Sequence, residues 1–151
     1  MAKTTTIPFP QTITTFGATI VNATSFTAAN PGTAPTNTLL LYTAAANDAV
    51  IKSLLVSSND TSSATVQFWL SKDSGTTKYL IGSVVVAGLS GAATLINVDV
   101  LGNAILTGFD YNETGKCVLP LSASDRIYIG VITSAVTASK NVYVTGIAEE
   151  Y

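Results

Sequence analysis

The chain is predicted to be all-β: a single-domain antiparallel β-sandwich, jelly-roll-like, with about eight strands and an extended N-terminal arm. Three observations carry this expectation. Threonine supplies 23 of the 151 residues, and its branched Cβ suits a pleated strand better than a helix. Several segments alternate apolar and polar residues at a period of two. Turn-forming residues recur at roughly ten-residue spacing, the rhythm of sandwiches and barrels.

Residues 1–10 read as an arm. They are polar and Thr-rich and end in Ile7-Pro8-Phe9-Pro10, where two prolines hold the backbone extended and remove two donors. The remainder, residues 11–151, is one domain, since a chain of this length can bury roughly 70% of its unfolded surface. Thr12 to Val21 is β-prone, and "NATSFTAANPGTAPTN" then gathers Asn, Gly and Pro into a long connection.

Thr38–Thr43 ("TLLLYT") and Ala49–Ser58 ("AVIKSLLVSS") are apolar runs of strand length, expected to be buried on both faces and joined by the turn "AAAND". In "TVQFWLSKDSGTTKYLIG", Val66, Phe68 and Leu70 fall on one face and Thr65, Gln67 and Trp69 on the other. "KDSG" supplies the turn, and Thr77–Val86 pairs back as the second strand of a hairpin. Ala93–Val100 alternates again, after the turn "AGLSGAA". "GFDYNETGK" reads as a loop, Val118–Leu121 as a short strand stopped by Pro120. Arg126–Ser134 and Asn141–Ala148 read as a closing hairpin over "AVTASK".

Charge is scarce. Asp, Glu, Lys and Arg make up 11% of the chain, against about 25% in ordinary domains. The net charge is −2 and the cations are scattered singly, so there is no basic stripe for nucleic acid. A surface with so little charge repulsion is tolerable where neighbours cover it, which points to assembly. The opening residues lack the apolar core of a signal peptide, so synthesis in a cytoplasm is expected. Tyr79–Val98 is uncharged and about long enough for a bilayer, yet its Gly, Ser and Asn residues break it, and no membrane span is expected.

Candidates for chemistry are few. The chain has no His, which removes the commonest general base and zinc ligand together. Cys117 is the single cysteine, so it forms no internal disulfide and reads as small apolar filler. The acids, among them Asp48, Asp60, Asp73, Asp99, Asp110 and Asp125, mostly sit beside Asn, Ser or Gly and read as turn caps rather than a glycosidase pair. "DYNE", Asp110–Glu113, is a weak calcium motif. No Gly-rich phosphate loop is present. No enzymatic activity and no cofactor are expected. Trp69, Tyr79 and Tyr111 are candidate exposed aromatic contacts, which would stack on a sugar or anchor a partner if they reach the surface and would be core if they do not.

One further expectation comes from likeness. The order "LLLYTAAANDAVIKSLLVSSNDTSSATVQFWL", a Gly turn, "KYLIGSVVV", "VLPLSASDRIYIGV" and "ASKNVYVTGIAEEY" resembles small capsid decoration (cement) proteins of tailed bacteriophages over about residues 38–151. The most specific piece is the Leu-Pro-(Ala/Ser)-Gly-Asp approach to a strand, matched here with Asp125 as the Asp and with Ser124 where Gly is common. The resemblance implies a virion protein, made in the bacterial cytoplasm, that binds the outside of a shell as a homo-oligomer, a trimer sooner than a dimer, and braces major capsid protein subunits. Ile7, Pro8, Phe9, Pro10 and Phe16 are then the candidate capsid or subunit interface. The alternative is a carbohydrate- or receptor-binding sandwich of a phage tail or surface structure.

Overall fold

The computed structural model describes residues 12–21, 38–89, 95–103, 106, 110–112, 115–132 and 136–151. Among these residues, ten strands form two antiparallel sheets. They are β1 (Thr12–Ile20), β2 (Leu39–Thr43), β3 (Ala49–Ser58), β4 (Ala64–Ser71), β5 (Tyr79–Val86), β6 (Ile96–Asp99), β7 (Asp110–Tyr111), β8 (Cys117–Leu121), β9 (Arg126–Ile132) and β10 (Val142–Glu150). The first sheet runs β1-β10-β3-β8-β7, with β6 also on β3; the second runs β2-β9-β4-β5. The architecture is the β-sandwich that the Thr-rich, period-two sequence implies.

The pairing is nested. β1 pairs with β10, β2 with β9, β3 with β8 and β4 with β5. The strand lying along β3 is split: β6 covers Leu55–Ser58 and β8 covers Ala49–Ile51, and β7 pairs with the start of β8. Inward positions of the two sheets, including Ile51, Leu54, Val56, Val66, Phe68, Ile127, Ile129, Val142 and Val144, fill the space between them. Each such side chain, once removed from water, contributes about 1.5–3 kcal/mol.

The central hairpin forms as the sequence implies, with β4 on β5. Its turn is built by Asp73, whose carboxylate accepts the Thr77 N–H at 2.8 Å; this capture starts β5 at Tyr79 instead of Thr77. Ser71 Oγ accepts the Gly75 N–H at 2.9 Å, and Ser74 and Gly75 both take positive φ, at 61° and 98°.

Several pairings differ from expectation. β9 and β10 do not form a closing hairpin: β9 lies between β2 and β4 and β10 between β1 and β3, so each has both edges occupied. "AAAND" is likewise a crossing from one sheet to the other, and β5 and β6 lie in different sheets. β2 is not buried on both faces, because it is an edge strand with Leu39 and Leu40 exposed and only Leu41 and Tyr42 turned in. The "GFDYNETGK" loop contains β7. Pro120 does not stop β8, which continues to Leu121; β7 pairs only with Cys117 and Val118, so the proline sits where that edge is free of a partner among the described residues.

Candidate interface on the outer face of the first sheet

Alternation along β1, β10 and β3 sends one set of side chains to the core and leaves the other set outside. In β10, Val142, Val144, Gly146 and Ala148 are buried while Thr145 and Ile147 are exposed. The registers align the outward residues in rows across the sheet. Thr15, Ile147 and Ser53 make one row; Gly17, Thr145 and Leu55 make the next. Ile13 is 68% exposed, and Leu55 and Ile147 are each about 40% exposed. Across β1, β10 and β3 these two rows carry no charge, and between them lies a shallow depression of about 430 Å³ with Gly17 and Gly146 in its lining.

Among the described residues, charge appears only at the margins of this face. Lys52 is the extra residue of a bulge opposite Ile147 and Ala148, and its ammonium pairs with Glu149 at 2.9 Å. Asp99 closes the row of Leu55 and accepts the Gly102 N–H at 2.9 Å. Where β6 and β8 part, a second and more polar cleft of about 580 Å³ is lined by Lys52, Asp99, Tyr111, Lys116 and Cys117. A hydrogen bond with Cys117, then its charge, then burial push the Tyr111 hydroxyl above its usual range.

The acids are engaged as turn and loop ties. Asp48, Asp60, Asp73, Asp99, Asp110 and Asp125 each accept at least one backbone N–H. Asp60, 2% exposed, receives Ser62 N–H, Thr137 N–H and Thr137 Oγ1–H. Burial alone would raise its pKa, but these donors outweigh it and hold the carboxyl below the ordinary value. Glu150 accepts the Tyr42 hydroxyl at 2.7 Å. Among the described residues no three His, Cys, Asp or Glu side chains converge as metal ligands; Glu113 of the "DYNE" motif lies outside them.

Ile7, Pro8, Phe9 and Pro10 lie outside the described residues. Phe16 is turned inward and half-buried, stacked on Tyr42 at 4.7 Å between centroids, and it also borders the depression. Trp69 is not an exposed contact: it is 1% exposed, on the face of β4 opposite Phe68, in a row with Tyr128 and Leu80. Tyr79 and Tyr111 do reach the surface. Yet they belong to different sheets, and the register puts Tyr79 opposite Leu70 rather than Trp69, so the three make no common platform.

Ile13, Gly17, Leu55, Thr145 and Ile147 were not singled out by sequence. The alternation in "NVYVTGIAEE" carries the signal for two of them, since Val142, Val144, Gly146 and Ala148 leave Thr145 and Ile147 to the other side. No family model matches the chain, and no curated protein or solved structure is recognisably similar to it.

Proposed function

We propose that this protein is a structural virion component, without enzymatic activity, that binds the outer surface of a tailed-phage capsid as a homo-oligomer and braces neighbouring major capsid protein subunits. The observation that carries the reading is the pair of rows Thr15-Ile147-Ser53 and Gly17-Thr145-Leu55, free of charge across β1, β10 and β3. Such a face gives up little hydration when covered, and its apolar tips gain from burial. The nested pairing of β1 with β10 through β4 with β5 matches the winding of a jelly roll, which supports the finer fold reading and suits a shell protein. The sequence resemblance points the same way.

The test is co-sedimentation with shells assembled from the major capsid protein of the same genome. The wild-type chain should pellet with the shells. Ile147→Lys, which places a charge in the centre of the face, should stay in the supernatant with an unchanged melting temperature. Wild-type protein that never pellets would remove the capsid reading.

A carbohydrate- or receptor-binding role draws support from one place, the exposed Tyr111 beside the cleft of Lys52, Asp99 and Lys116. Glycan-array binding that disappears in Tyr111→Ala would favour it.

A further inference from the structure

We propose that β1 is a docking edge for a second copy of this chain, the two β1 strands pairing antiparallel about a two-fold axis so that the first sheets of both copies become one continuous sheet.

The argument begins with how the other edges are closed. An edge strand offers a row of unpaired N–H and C=O groups, and native sheets blunt such rows with short strands, bulges, prolines or charges. β2 has five residues and a bulge at Leu41. β5 has a bulge at Ile81. β6 has four residues and ends in Asp99, and β7 has two. β1 has none of these devices: it runs for nine residues, Thr12–Ile20, in unbroken register with β10, with no charge and no proline. Among the described residues its other edge has no partner strand.

A backbone edge is satisfied by another strand, and β1 itself is complementary to β1. Full overlap places Phe16 on the axis, Thr15 opposite Gly17, Thr14 opposite Ala18, Ile13 opposite Thr19 and Thr12 opposite Ile20 of the second copy. No charged side chain meets another; on the outer face Ile13 meets Thr19 and Thr15 meets Gly17, and on the inner face the two Phe16 meet at the axis. The acids nearest β1 are Glu149 and Glu150, beside Ile13 and Thr12; the two-fold sends the second copy's pair to the far end of the strand, so like charges stay apart. The arrangement is isologous and closes at two copies. It departs from the trimer that the resemblance implies, and it stands independently of whether the protein binds a capsid.

The experiment uses the full chain in the absence of shells. Light scattering should give a dimer. In a Cys117→Ser background, Ile13→Cys with Thr19→Cys should form a disulfide-linked dimer on oxidation, because these positions face each other only across the two-fold and lie too far apart along one strand to bridge internally. Thr15→Lys should weaken the dimer at least tenfold while the circular dichroism spectrum is retained. A monomer at every concentration would overturn the proposal, as would a dimer that fails to cross-link or one that Thr15→Lys leaves intact. A chain that stays monomeric alone and whose β1 amides become protected from hydrogen exchange only after capsid subunits are added would also overturn it, and would assign the edge to a strand of the shell.

Discussion

Phe16 and Gly146 face each other across β1 and β10, and the phenylalanine ring occupies the volume that a side chain on residue 146 would need. The same ring stacks on Tyr42 of the other sheet. One glycine thus lets an edge strand pack an aromatic over the seam between the two sheets.

Any side chain at residue 146 must displace that ring and also meet the Ser53 carbonyl oxygen, 2.7 Å from an added Cβ. Gly146→Val is expected to cost about 1–3 kcal/mol, as overpacking does elsewhere. Urea denaturation monitored by fluorescence measures the loss.

Tyr42 gives the fold an alkaline limit. Burial, then the hydrogen bond to Glu150, then the carboxylate's charge push its pKa well above the ordinary 10.0. The folded chain therefore keeps a proton that the unfolded chain releases near pH 10, so stability falls as pH rises beyond that point. Tyr42→Phe should be about 1–2 kcal/mol less stable at neutral pH and should lose less on going from pH 9 to pH 11. Equal alkaline slopes for the two proteins would contradict this.

Asp60 sets a matching acid limit. Its folded pKa lies below the ordinary 3.8, so its contribution is present above the unfolded pKa and vanishes as pH falls through the folded one. Asp60→Ala strands the Thr137 and Ser62 donors and should cost about 1–3 kcal/mol at pH 7, with the gap to wild type closing in acid. Thermal melts at a series of pH values provide the comparison.

Ser124 holds φ at 68°, a left-handed conformation that suits glycine better than serine. Its N–H reaches the Ala45 carbonyl and it precedes Asp125, whose carboxylate accepts the Ser122 N–H at 3.0 Å. Ser124→Gly should raise stability by about 0.5–1 kcal/mol, the relief of strain less the added freedom of the unfolded chain. A lower melting temperature would show that the serine compensates through a contact of its own.

The strands themselves were legible because period-two patterning and Thr content are properties of short windows. Val66 and Phe68 against Trp69, or Val142 and Val144 against Tyr143, can be sorted by face without knowing their neighbours. Partnership is not local in that sense. "RIYIGVI" and "NVYVTGIA" look like a hairpin from their spacing, and only the positions of β2, β4, β1 and β3 reveal that each already has two neighbours. The same gap explains the aromatics. Nothing in "QFWLS" tells that Trp69 is buried on the side of β4 away from the main core, whereas Tyr79 and Tyr111, near strand ends, emerge at the surface. The candidate face was hidden for a related reason: its uncharged rows are assembled from β1, β10 and β3, residues separated by most of the chain.

That separation orders the folding reaction. β4 and β5 are joined by a short turn and can pair early, whereas joining β3 to β8, β2 to β9 and β1 to β10 closes successively larger loops at growing entropic cost. The sandwich should therefore zip from its middle outward and slowly for its size, with β1 the last strand to seat. Until it does, β10 is itself an open edge, and a nascent chain in a crowded cell is most vulnerable to mispairing in that final interval.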